Sequence, residues 1–193
     1  MMHTPIHEQS YQRFMNNFKT ATACVSSQYM HFPVAGMDNP IYLERVYCYE
    51  LYHQLRVATG DDFDYSLGGE VDKARHPILS QLSLGNTKPD LLIHRPGYMG
   101  GNLVVIEVKS VAARGKQIRK DLHNLTSFVI KGQYFQAIYL VYGGTLDDFE
   151  NFRKRARQQA NTVGTDQIDL GVIRLYWHQM PGHEAIEMQW NAA

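Results

Sequence analysis

The segment Leu103-Val104-Val105-Ile106-Glu107-Val108-Lys109 constrains this chain more than any other. Its β-branched residues favour a pleated strand, and it is the clearest strand signal in the sequence. Strand side chains alternate between faces, so Glu107 and Lys109 project to one side and Ile106 and Val108 to the other. Two ionisable groups on one face of an apolar strand are costly to bury unless they are paired or used. An exposed edge strand would tolerate them. The five apolar residues around Glu107 instead point to the middle of a sheet. The competing reading is a surface ion pair between Glu107 and Lys109, with Asp90 as a turn residue.

The flanking sequence supplies the rest of an α/β pattern. Residues 6–30 read as one or two helices, with Ile6, Phe14, Met15 and Phe18 roughly on one side. Asp38-Asn39-Pro40 has the form of a helix start, and Val46, Tyr47, Leu51 and Leu55 recur at helical spacing across 41–57. Tyr47, Tyr49 and Tyr52 on that helix read as core and near-core packing. Strands are expected at 65–72, 88–94, 103–109 and 136–142, with two closing strands at 168–178 and 184–190. Gly115 to Lys131 is helical, with a stripe of Ile118, Leu122, Leu125 and Val129. Residues 145–160 form a charged helix. Helices packed on a central sheet follow from this order.

Length and composition narrow the classes. At 193 residues and 44% hydrophobic, the chain suits one domain, 1–193, with too little net charge and too much apolar content for disorder. Within it, 1–37 is an N-terminal helical extension, 38–142 a core, and 143–193 a closing helix and strands. No apolar run reaches the roughly 20 residues needed to span a bilayer, so no membrane partner is expected. Met1-Met2-His3-Thr4-Pro5 carries no secretory pattern, and Cys24 and Cys48 form no disulfide framework or metal-ligand spacing. A cytoplasmic location is the expectation. Phosphate-loop, dinucleotide, nucleophile-elbow and zinc-protease motifs are absent; His183-Glu184-Ala185-Ile186-Glu187 misses the last at its final position.

The chemistry concentrates in Lys88-Pro89-Asp90-Leu91-Leu92-Ile93 and the strand carrying Glu107. Pro89 suits the first residue of a strand, and it sets Asp90 at the strand entrance. If the two strands form a hairpin around the Pro96–Asn102 turn, Asp90 and Glu107 meet across the ladder. Paired carboxylates repel unless a cation lies between them, and hard oxygen ligands suit Mg²⁺ or Mn²⁺. The Val108 carbonyl is a further candidate ligand. Lys109 would orient a water and counter charge on a pentavalent transition state. Glu70 shares the site or caps a solvated strand end, and His94, on the Asp90 face by alternation, is a hydrogen-bonded structural residue or a ligand. Two basic clusters, Arg114/Lys116/Arg119/Lys120 and Arg153/Lys154/Arg155/Arg157, offer phosphate contacts. The second is interleaved with Asp147, Asp148 and Glu150 and also fits an ordinary exposed helix.

Pro89-Asp90, sixteen intervening residues and then Glu107-Val108-Lys109 resembles the PD-(D/E)xK signature of restriction-endonuclease-like nucleases. The resemblance spans about residues 40–142 in helix, three strands, helix, strand order. It implies a restriction-endonuclease-like core with a central mixed sheet of four or more strands flanked by helices. It implies Asp90 and Glu107 as metal ligands and Lys109 as the catalytic lysine. Related enzymes often add a glutamate on the first core helix. Glu50 is preferred for its apolar neighbours, and Glu44, about 120° around the helix, stays open. Lys120, one helical turn from Gln117, is an accessory phosphate contact or part of a solvated face. The implied activity is metal-dependent phosphodiester hydrolysis, with DNA as the expected polymer and a homodimer as an expected assembly. The alternative is an inactive nucleic-acid-binding or protein-interaction module on the same fold. A net charge of zero does not exclude DNA, but it predicts weak nonspecific affinity at physiological salt.

Overall fold

A computed structural model of the chain describes residues 5–69, 87–162 and 167–191. The helices are α1 (Pro5–Cys24), α2 (Ser27–Met30), α3 (Glu44–Thr59), α4 (Gly115–Ile130) and α5 (Leu146–Ala160). The strands are β1 (Ser66–Gly69), β2 (Leu91–His94), β3 (Asn102–Ser110), β4 (Gln136–Tyr142), β5 (Ile173–His178) and β6 (Ile186–Met188). They form one mixed sheet in the order β1-β2-β3-β4-β5-β6. β3, β4 and β5 run parallel, while β1 and β2 on one side and β6 on the other pair antiparallel.

All nine residues of β3 are buried, between β2 and β4, which excludes the edge-strand reading. Alternation divides the sheet between two cores. Val104, Ile106 and Val108 face α1 and α3, against Phe14, Phe18, Tyr47 and Leu51. Val105 of β3 packs on the other side with Tyr139, Val141 and the apolar stripes of α4 and α5. The sheet is thus covered by helices on both faces. One irregularity interrupts the register: Ile93 pairs with Val104 but His94 with Asn102, so Leu103 is bulged out and joins Val104 on the α1/α3 side.

Several expected boundaries move. The first core helix begins at Glu44, not at the Asp38-Asn39-Pro40 cap, because Ile41 is held extended by a two-bond bridge to Phe32 (2.8 and 3.0 Å). Phe128 takes the buried place assigned to Val129 on α4. Of the three tyrosines read as packing on α3, Tyr47 is fully buried and Tyr52 half-buried, but Tyr49 is exposed. Residues 170–172 make a 3₁₀ turn capped by Asp169, so β5 starts only at Ile173, and β6 spans three residues. The expected strand at 65–72 is seen as 66–69, and Glu70, Val71 and Asp72 lie outside the described residues. No helix among the described residues is long and apolar enough to cross a membrane.

Two devices fix the helix that opens the core. Tyr47 stacks on Tyr142 of β4 (centroids 4.0 Å apart) and its hydroxyl hydrogen-bonds His178 Nδ1 of β5 at 2.7 Å. Burial pulls the His178 pKa down to about 4, so the imidazole is neutral at pH 7. At the carboxyl end of β4, Gly143 and Gly144 adopt φ of +77° and +76°. A Cβ on Gly144 would lie 2.6 Å from Val111 Cγ2, and one on Gly143 would run into the Tyr42 ring. Gly144→Ala should therefore cost about 2 kcal/mol in urea unfolding, from left-handed backbone strain plus the clash. A loss within the scatter of ordinary surface substitutions would show that the turn relaxes freely.

Candidate active site

The site forms where β2 begins and β3 approaches its carboxyl end. The β2–β3 ladder starts at Leu91–Ile106, so Asp90 stands just before it, opposite Glu107. In place of a backbone partner, the Val108 N–H donates to Asp90 Oδ2 at 2.7 Å. Glu107 and Lys109 are only 4% and 9% exposed. Asp90 and Glu107 also meet carboxyl to carboxyl, in a sense that favours the proton on Glu107 and the charge on Asp90. The hairpin expectation therefore holds in geometry.

Lys109 gathers the other acids. Its Nζ lies 3.0 Å from Glu44 Oε2 at the start of α3 and 3.5 Å from Asp121 Oδ2 on α4. It also donates to the Val108 carbonyl at 3.0 Å. Tyr139, paired with Glu107 in the β3–β4 register, donates its hydroxyl to Asp121 Oδ2 at 3.4 Å. Glu44 sits in the first turn of its helix, where the dipole favours an anion.

Burial sets the protonation. It raises the Glu107 carboxyl well above the ordinary range, with further upward pushes from Asp90 and Asp121. It raises Asp121 to about 6, against a downward pull from Lys109. Asp90 is raised by burial too, countered by Lys109 and by the Val108 N–H. Burial alone would pull the Lys109 ammonium down, but Asp121, Asp90, Glu44 and Glu107 outweigh it, and its pKa ends above the ordinary value. Lys109 is therefore a fixed cation at neutral pH and not a base. Burial, with Asp90 beside it, also raises the Cys48 thiol, which leaves it unreactive as a nucleophile.

Four carboxyl groups thus face one ammonium. Proton uptake relieves part of that imbalance, and a hard divalent cation would relieve it too. Asp90, Glu107 and the Val108 carbonyl, which also accepts from Lys109, are oxygen groups of the kind that Mg²⁺ or Mn²⁺ takes. Among the described residues no group of three or more His, Cys, Asp or Glu is arranged as a ready cage. Mg²⁺ often needs no cage, since it keeps several waters and takes one or two carboxylates.

The other candidates separate. Glu50 accepts from Gln54 Nε2 at 2.7 Å along its own helix, while Glu44 makes the contact with Lys109. Lys120 is exposed on α4, and Glu70 lies outside the described residues. His94 is at the far end of β2 from Asp90. Asp121, 6% exposed, is the residue that sequence reading passed over. Its signal was available: it lies three residues past Ile118 and next to Leu122, on the buried face of the α4 stripe.

Comparison with protein-family models, with curated proteins and with solved structures gives no match.

The raised Asp121 pKa fixes a sign. Between about pH 4 and 6 the folded chain holds a proton here that the unfolded chain releases, so this group loses stability as pH rises through about 6. Asp121→Asn should remove that loss and stabilise the metal-free protein at pH 7 by roughly 1–2 kcal/mol, with a flatter pH profile in urea unfolding. Destabilisation at pH 7 would mean that the Lys109–Asp121 contact outweighs the burial cost.

Proposed function

We propose that this chain is a metal-dependent nuclease with a restriction-endonuclease-like core, hydrolysing phosphodiester bonds in DNA. The observation that carries the reading is the convergence of Asp90, Glu107 and Lys109 with Glu44 at one end of the central strands. Each comes from a different part of the chain or from a strand that had to bury it. Simple stability offers little reason to collect four acids around one lysine, because apolar residues of similar volume would cost less.

In this reading Asp90, Glu107 and the Val108 carbonyl hold Mg²⁺ or Mn²⁺, with Glu44 as the helix carboxylate in place of Glu50. The chemistry such an ion supplies when bound is charge neutralisation at the phosphate and acidification of water. The Lys109 ammonium orients the attacking water and stabilises the charge that develops on the phosphoryl oxygens. Glu44 and Asp121 hold that ammonium in place, and Tyr139 fixes Asp121. Exclusion of bulk water by the buried strand strengthens each of these contacts.

A cleavage panel of duplex, single-stranded and branched DNA and of RNA, with Mg²⁺ or Mn²⁺, tests the proposal. Metal-dependent cleavage is expected, reduced at least about a hundredfold in Lys109→Ala and in Asp90→Ala. Cleavage that persists in both variants would remove this site from consideration. A chain that binds nucleic acid but cleaves none of the panel with either metal would be the inactive binding module.

A further inference from the structure

A pocket lies between α5 and the segment that leaves β3. Its volume is about 550 Å³, and its walls are Tyr42, Val111, Ala112 and, from α5, Asp148, Asn151, Lys154, Arg155 and Gln158. Val111 is two residues beyond Lys109, which the chain can span in at most about 7 Å. Tyr42 is two residues before Glu44. The two segments that deliver the site's ammonium and its helix carboxylate therefore continue directly into the pocket wall. Gly143 and Gly144 allow that approach, because side chains there would meet Tyr42 and Val111.

The basic cluster of α5 divides around this pocket. Arg153 turns inward, where it pairs with Glu150 and donates to the Gln189 carbonyl at 2.9 Å. Arg155 Nη2 clamps the Val111 carbonyl at 2.7 Å, leaving its charge at the pocket wall. The Asp148 carboxylate is occupied by the Thr145 N–H (2.9 Å) and hydroxyl (2.7 Å). Among the described residues the side chains of Asn151, Lys154 and Gln158 make no hydrogen bond or ion pair. The pocket therefore presents two cations and two amides, with its one acid already engaged. That donor set suits a phosphodiester.

We infer that this pocket binds a backbone phosphate of the nucleic acid strand, next to the phosphate that reacts at Asp90, Glu107 and Lys109. The inference rests on the nuclease reading and names a contact that positions its substrate. Lys154 supplies the charge, Asn151 and Gln158 donate amide hydrogens, and Arg155 holds the wall. A backbone contact of this kind carries no sequence information and fixes the register of the strand.

The test is binding of labelled single-stranded and duplex DNA to the full chain in metal-free buffer, across NaCl concentrations starting well below physiological. Lys154→Ala should weaken binding severalfold for every sequence and flatten the slope of log K against log[NaCl] by about 0.7–0.9. Lys154→Arg should restore both. Gln158→Glu, which places a charge in the pocket, should also weaken binding, and Lys131→Ala, at the far end of α4, should leave binding and slope unchanged. An unchanged slope in Lys154→Ala overturns the inference, as does a wild-type chain that binds no DNA at low salt. If wild type cleaves DNA through Asp90 while Lys154→Ala binds as wild type does, the subsite fails and the nuclease reading stands. If binding depends on Lys154 but nothing is cleaved, the subsite stands and the catalytic reading fails.

Discussion

Glu107 and Lys109 lie on a fully buried strand in the middle of a six-stranded sheet, and the structure is organised around keeping them there. Each ion taken from water costs several kcal/mol, and the mutual attraction offsets this only if every charge finds good partners. The partners come from three other elements. Asp90 comes from the entrance of β2, Glu44 from the start of α3, and Asp121 from the inner face of α4. Displacing α3 or α4 would take an acidic partner away from Lys109.

The surrounding packing reads as support for that convergence. β2 stops pairing at Leu91, which frees the Val108 N–H to fix Asp90. The stacking of Tyr47 on Tyr142 and its bond to His178 anchor α3 over the parallel strands, so Glu44 points at Lys109. Tyr139 links the strand beside Glu107 to Asp121. The partners supplied in this way are nevertheless mostly of one sign. The site is overdetermined in geometry and undercompensated in charge, an imbalance that the proposed cation would offset.

Much of this was legible from particular residues. The β-branched run around Glu107 identified a central strand, and Pro89-Asp90 identified the entrance of its neighbour, because alternation and proline placement are local rules. The choice between Glu44 and Glu50 was not local. Both suit the helix, and which one faces Lys109 depends on how far α3 is rotated by the Tyr47 contacts and by the Ile41–Phe32 bridge that delays its start. Asp121 was hidden for a related reason. A single acid inside an apolar stripe looks like a flaw in amphipathicity until the strand beneath is known to carry a lysine. The split of the α5 basic cluster between an inward Arg153 and the pocket wall likewise requires the tertiary contacts of Arg153 and Arg155.

The excess of buried carboxyl over ammonium groups is tested most directly by titration calorimetry of Mn²⁺ into the full chain at neutral pH. Saturable binding is expected, with protons released from the raised carboxyls as the ion enters, and binding should be lost in Asp90→Asn and in Glu107→Gln. Proton release is read by repeating the titration in buffers of different ionisation enthalpy. A chain that takes up no Mn²⁺, or takes it up equally in both variants, would contradict a cation site at Asp90 and Glu107.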